Sequence, residues 1–249
     1  MTTSSTPTFC FPPPPTVSAA IAGTSSRFPV RRIFCVGRNY AEHAREMGAD
    51  PTREAPFFFC KPADALREAS QPVHYPSRTR DFHHEVELVV ALSAGGSNLS
   101  REAAVRTVFG FGVGIDWTRR DLQNEAKKLG RPWDTGKAFD EAATLGPLHA
   151  GWVAGSAEPA AQTAGRSGEL RGAIWLEVND QRRQQGDLSE LIWTVPEIIA
   201  ELSTLFALQA GDLVFTGTPA GVGPVIAGDR ITAGIDGLGR ITVQVVPSC

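Results

Sequence analysis

Glu85-Val86-Glu87-Leu88-Val89-Val90 and, further along, Phe109-Gly110-Phe111-Gly112-Val113-Gly114-Ile115-Asp116 decide the reading of this chain. The first is a β-branched, aliphatic run around two acidic residues. The second is an apolar run with glycine at every other position, so both read as strands. Residues two apart on a strand share a face, which sets Glu85 and Glu87 side by side while Val86 and Leu88 point the other way. The period-two glycines suit close packing of sheets. Asp116 ends its strand just before Thr118 and a charged helix, where a third carboxylate can converge on the first two. Three hard oxygen donors with no neighbouring cysteine suit Mg²⁺ or Mn²⁺ better than Zn²⁺. The competing reading is a half-buried strand with a solvated acidic face.

Working outward, Val30 to Val36 is a further apolar strand. Asn39 can cap a short helix carrying Glu42 at its third position and closed by Gly48. Ser100 to Val108 reads as a short capped helix, and a charged helix follows over roughly Arg119 to Leu129. Ala173 to Val178 is a strand. Thr194 and Glu197 make a capping box with Pro196 in the first turn, ahead of apolar residues at helical spacing from Ile198 to Phe206. Leu213 to Phe215, Arg230 to Thr232 and Ile241 to Val246 alternate with Gly-Asp turns. Strands outnumber helices and no regular βα alternation appears, so the expected class is α+β, centred on sheets. Residues 1–30, with Pro12 to Pro15, read as an extended arm ahead of a domain over 31–249. Gly151 to Glu169 reads as a variable loop.

The chain has 249 residues and can bury a full core. Its 24 Lys+Arg against 27 Asp+Glu leave a net charge of −3, with no basic excess to attract nucleic acid. The four cysteines are scattered and read as reduced thiols. Neither a signal-peptide pattern nor a bilayer-length apolar run is visible, so the expectation is a cytoplasmic protein with no membrane partner. Phosphate-binding glycine motifs are lacking, which argues against a nucleotide.

Other residues can carry chemistry. His43 and Glu46 lie three apart on the Asn39-capped helix, share a face and form a dyad able to deprotonate water; an exposed structural pair is the alternative. Gly37 and Gly48 flank them, consistent with a movable lid over about 37–60. Lys137 stands in an aromatic-flanked loop, Trp133 to Asp140, where it could meet an anion or simply face solvent. Thr216-Gly217-Thr218-Pro219 follows a strand and offers hydroxyls and backbone N–H groups as a carboxylate cradle, or forms a plain hairpin loop. His83 and His84 point to opposite sides of a strand and cannot easily serve one site.

Taken together, Gly37-Arg38-Asn39-Tyr40 with His43 and Glu46, Phe59-Cys60-Lys61-Pro62, Glu85-Val86-Glu87-Leu88, Asp116 through Gln123, Gly136 to Asp140 and Thr216 to Gly223 resemble the fumarylacetoacetate hydrolase family. The resemblance covers about Ile33 to Val246. It implies a mixed β-roll or β-sandwich core, usually homodimeric. It also implies Mg²⁺ or Mn²⁺ on Glu85, Glu87 and Asp116, with His43 and Glu46 on a lid. Arg119, Gln123, Lys137 and Thr218 are implied to line the substrate site. Within the family the pattern is most similar to members acting on fumarylpyruvate in gentisate catabolism, on cues such as Phe82-His83-His84-Glu85 and Gly130-Arg131-Pro132-Trp133.

The implied substrate is a dicarboxylic keto acid, a 2,4-dioxo acid whose C3–C4 bond is cleaved. Glu46 oriented by His43 is the expected base, Lys137 with Gln123 the expected oxyanion donors, and Arg119 or Arg38 the expected partner of a distal carboxylate. Decarboxylation of oxaloacetate needs the same chelation and is the nearest alternative. A catalytically silent ligand-binding module is a second.

Overall fold

The structure is a computed structural model and describes residues 8–42, 54–151 and 170–248. Two mixed sheets form its core. The larger runs in the order Phe57–Lys61, Arg32–Gly37, Asp212–Phe215, Val86–Leu92, Val108–Asp116, Ala143–Leu145, Leu66–Glu68, with His149–Ala150 also paired to Val108–Asp116. The smaller runs Gln181–Asp187, Ala173–Val178, Arg230–Ile235, Gly239–Val246, Val73–His74. Most pairings are antiparallel, but Asp212–Phe215 runs parallel to Arg32–Gly37, Ala143–Leu145 parallel to Leu66–Glu68, and Val73–His74 parallel to Gly239–Val246. The α+β class and its sheet-centred core are therefore as expected.

Alternation along the strands divides the apolar residues between two cores. Val86, Leu88 and Val90, with Val113 and Ile115, face the smaller sheet and meet Ile174, Leu176, Ile231 and Val243. Val89 and Ala91 face the other way and pack with Ile33, Cys35, Leu213 and Phe215. Every residue of Val86–Leu92 is buried, because both faces of this central strand are covered. Each fully buried aliphatic side chain contributes about 1.5–3 kcal/mol of apolar burial. The acidic-face alternative for Glu85 and Glu87 does not hold: they are 5% and 2% exposed.

The segment before Arg31 differs from a free arm. Ser18–Ala20 and Arg27–Pro29 pair antiparallel, and Ala19, Phe28 and Val30 enter the second core. The polar Thr24-Ser25-Ser26 stretch is the turn of this hairpin. Asn39 also departs from expectation. Among the described residues its side chain makes no helix-capping bond; its amide donates to the Trp193 and Thr216 carbonyls at 3.0 and 2.8 Å, and its oxygen accepts the Trp193 N–H at 2.7 Å. A buried amide able to staple three segments outcompetes a helix cap on an exposed turn. Residues 41–42 are helical, and the remainder of the expected helix, with His43, Glu46 and Gly48, lies outside the described residues, as does most of the 151–169 loop.

The capping box is present, Glu197 accepting the Thr194 N–H at 3.0 Å at the start of helix Val195–Leu205. Helices Arg101–Val105 and Arg120–Lys128 also match, whereas Asp134–Lys137, read as loop, is one short helix. The polar strand Gln181–Asp187 carries no apolar alternation and went unread. Cys10, Cys35 and Cys60 are free. No described helix is long and apolar enough to cross a membrane.

The glycine strand packs as its spacing implies. A Cβ on Gly114 would stand 2.5 Å from Val89 Cγ2 and 2.8 Å from Phe215 Cε1. Gly114→Ala is expected to destabilise the fold by about 1–3 kcal/mol through overpacking, read as a lower urea midpoint at unchanged slope. A midpoint equal to the parent's would refute the packing role.

Candidate functional site

Register builds the site. Val86 pairs with Ile115 and Glu87 with Gly114, while the Asp116 N–H donates to the Glu85 carbonyl at 2.8 Å. Glu85 and Asp116 are thus cross-strand neighbours, and Glu87 lies one pleat along the same face. Gly114, opposite Glu87, puts no side chain there. The three carboxylates present ligand oxygens all within 4.8 Å of one another.

Three like charges in a dry interior require cations, since an unpaired buried charge costs several kcal/mol. Lys137 bridges two of them, its Nζ donating to Glu85 Oε2 and Asp116 Oδ2 at 2.8 Å each. Burial alone would lower the Lys137 ammonium, but Asp116 and Glu85 outweigh it and hold it above its ordinary range. Lys137 is 2% exposed, so the solvent-facing alternative fails. Lys61 places Nζ 2.7 Å from Asp116 Oδ1 and donates to the carbonyls of Trp117, at 3.1 Å, and Lys137. Arg120 pairs with Glu85 through Nη2, donates to Gln123 Oε1 at 2.6 Å, and reaches His83 Nδ1 at 3.3 Å.

Glu87 is treated differently. Among the described residues its one hydrogen bond comes from the Gly217 N–H, at 2.8 Å to Oε2, and no lysine or arginine pairs with it. Burial, followed by Asp116 and Glu85, drives its carboxyl well above the usual carboxylate range. Asp116 Oδ1, although close to Lys61, has no aligned hydrogen bond. These two under-satisfied oxygens fit a hard divalent cation. Cys35, on strand Arg32–Gly37, has its thiol pushed up by burial first and then by Asp116, and it stands outside the cluster of candidate ligand atoms, which are all oxygens.

The carboxylates open onto a cavity of about 30 Å³, enough for a cation with a water or two. Arg38, Arg120, Gln123, Lys127, Lys137 and Thr218 line it. An adjoining groove of about 480 Å³ shares Phe57, Phe59, Trp133 and Lys137 with it and is also lined by Arg131. The wall between them is aromatic, Phe57 and Trp133 meeting edge-on at 5.2 Å. Arg38 lies over Phe57 at 5.6 Å and Lys127 over Trp133 at 4.9 Å. Among the described residues neither pairs with a carboxylate, and the Arg38 Nε is buried without a hydrogen-bond partner. Burial, then the charges of Arg120 and Arg38, lowers the Lys127 ammonium to about 8. Cations so placed favour the binding of an anion between them.

Of the residues expected from sequence, the structure therefore gathers Glu85, Glu87, Asp116, Lys137, Gln123, Arg38 and Thr218. It does not gather Arg119. That guanidinium lies 4.3 Å over Phe139 and donates to the Thr135 carbonyl at 3.4 Å, outside the cavity. The chain turns from strand into helix between Arg119 and Arg120, which sends the two side chains to different surroundings. His43 and Glu46 lie outside the described residues. Lys61, Arg120 and Lys127 were missed. Arg120 stands three residues before Gln123, on one helix face, and that spacing was the available signal.

Comparison with known proteins agrees with this geometry. Residues 32–246 match the fumarylacetoacetate (FAA) hydrolase C-terminal family. A fumarylpyruvate hydrolase of Ralstonia sp is 42% identical over 199 residues, 80% of this chain and 97% of that one. The oxaloacetate tautomerase YcgM of Escherichia coli K12 is 40% identical over 84% of this chain and 90% of its own length. A crystal structure of fumarylpyruvate hydrolase from Pseudomonas aeruginosa in complex with Mn²⁺ and pyruvate superposes with a TM-score of 0.88 at 49% identity, covering 97% of this chain and all of that one. With the sheet register, the carboxylate cluster and these likenesses in agreement, the chain belongs to the fumarylacetoacetate hydrolase family of enzymes.

Proposed function

We propose that this enzyme hydrolyses the C3–C4 bond of a 2,4-dioxo acid, with fumarylpyruvate cleaved to fumarate and pyruvate. The observation that carries the reading is Glu87, a buried carboxylate with no cationic partner among the described residues, facing a cavity that Arg38, Arg120, Gln123, Lys127 and Lys137 also line. Glu85, Glu87 and Asp116 would hold Mg²⁺ or Mn²⁺, which supplies chelation of the 1-carboxylate and 2-oxo group and withdraws electrons from the bond to be broken.

The chain's own residues do the rest. Two protons of the Lys137 ammonium go to Glu85 and Asp116, which leaves the third for a developing oxyanion. Gln123 uses its oxygen to accept from Arg120, so its NH₂ is the end left to donate. Water, activated by Glu46 oriented by His43, adds at C4; the C3–C4 electron pair departs to C3 as the enolate of pyruvate, C4 leaves as the new carboxylate, and the proton taken up by Glu46 returns to C3 to give pyruvate. The aromatic groove takes the acyl arm, and Arg38 with Lys127 receives its distal carboxylate. The enzyme is proposed to act on small keto acids in the cytoplasm, as a homodimer.

The oxaloacetate tautomerase relative supports a second reading, enol–keto exchange of oxaloacetate, which needs proton transfer at C3 and no attacking water. Rates on fumarylpyruvate, acetylpyruvate and oxaloacetate with added Mn²⁺ separate the two. Hydrolysis of the acylpyruvates is expected to dominate, and turnover confined to oxaloacetate would overturn the proposal.

Glu87→Gln keeps an acceptor for Gly217 and removes a carboxyl group whose charged form burial and its acidic neighbours disfavour. It is expected to leave the metal-free melting temperature equal or higher, abolish stabilisation by Mn²⁺, and cut turnover on the order of 100-fold or more. Retained Mn²⁺ stabilisation would remove Glu87 from the metal site. Arg38→Met and Lys127→Met are each expected to lower kcat/KM for fumarylpyruvate by about 10- to 100-fold and for acetylpyruvate, which lacks the second carboxylate, by less than about twofold. Equal losses on both substrates would refute a distal carboxylate site.

A further inference from the structure

Gln184 is fully buried in a strand whose neighbours are largely exposed, and every hydrogen-bonding atom of its amide is used. Its Oε1 accepts from the Val86 N–H at 3.1 Å and contacts His84 Nδ1 at 2.9 Å. Its Nε2 donates to the Pro219 carbonyl and to Thr218 Oγ1, both at 2.8 Å. The orientation is unique. A backbone N–H can only donate and a carbonyl can only accept, so a flipped amide would fail at Val86 and at Pro219 together. His84 must then carry its proton on Nδ1.

The same logic reaches the cavity. Thr218 Oγ1 receives a hydrogen bond from Gln184, so its own proton points elsewhere. Among the described residues no acceptor takes that proton, and Thr218 lines the cavity beside Gly217, which holds Glu87. We propose that Gln184 is a positioning residue that sets the polarity of the Thr218 hydroxyl, holding it as a donor toward an anionic oxygen of the bound ligand. For the identity of that ligand, a keto-acid carboxylate, the inference rests on the function proposed above. A neutral amide is the side chain this position requires. A carboxylate here would reverse the hydroxyl and add negative charge next to Glu85 and Glu87.

The test is oxalate affinity, by calorimetry at saturating Mn²⁺, in a double-mutant cycle. Thr218→Val and Gln184→Met are each expected to weaken oxalate by about tenfold, and the double variant to be no weaker than Thr218→Val alone. Thr218→Ser, which keeps the hydroxyl, should bind within about twofold of the parent. Losses that multiply to about 100-fold in the double variant, or a Gln184→Met protein that binds like the parent, would overturn the inference. Should Gln184→Met fail to fold, Gln184→Glu retains the acceptor for Val86 and His84. It must weaken oxalate more in the parent background, where the Thr218 hydroxyl is present, than in the Thr218→Val background, and equal factors would overturn the inference. Imidazole ¹⁵N shifts read the network without ligand. An Nε2-protonated His84 overturns it whatever binds, whereas a parent enzyme that ignores oxalate overturns the keto-acid reading instead.

Discussion

Three carboxylates crowded onto one face of two adjacent strands are the constraint around which this molecule is arranged. The crowding follows from the antiparallel register, which sets Glu85 against Asp116 and Glu87 against a glycine. In a dry site such charges repel one another and each forgoes hydration, a cost of several kcal/mol per uncompensated ion. The surrounding cations are the answer to that cost. Lys61 and Lys137 serve Asp116, Lys137 and Arg120 serve Glu85, and the absence of such a partner at Glu87 among the described residues marks where added positive charge is accommodated.

The cations are not equivalent. Lys61 faces Asp116 as an ion pair, donates to two backbone carbonyls and belongs to the framework. Lys137 and Arg120 face both ways, anchoring carboxylates while lining the cavity. Arg38 and Lys127 sit farther out, on aromatic faces, and pair with no carboxylate among the described residues. This gradation from anchored to unsatisfied runs from the interior toward the groove. An anionic ligand entering along it replaces hydration by fixed N–H donors at each step.

The second sheet contributes more than a hydrophobic lid. Its edge strand sends Gln184 through to the junction of Phe82–His84 and Val86–Leu92, and to the loop after Phe215. One neutral side chain thereby ties together two of the segments that carry site residues. Asn39 does the same on another side, joining residues 193 and 216. Both are buried amides with all their groups satisfied, the condition under which polar groups in a core specify a single arrangement.

Local pattern by itself determined the strands Val86–Leu92 and Val108–Asp116, the shared face of Glu85 and Glu87, the capping box at Thr194 and the α+β class, because period, propensity and capping are properties of neighbouring residues. Asp116 was legible as a third carboxylate at a strand end, whereas Lys137 and Thr218 entered through the resemblance of their motifs to a known family, local pattern leaving a surface lysine and a plain loop equally open. Tertiary structure alone decided that the acidic face is buried, that Arg120 and not Arg119 meets Glu85, that Lys61 and Lys127 join the site, and that Gln184 and Asn39 are tethers. Each of these turns on a side chain meeting a partner distant in sequence. Charge compensation in a low-dielectric interior selects such partners by distance and direction in space, and nothing in the local spacing of Gln181–Asp187 or Phe57–Lys61 encodes that direction.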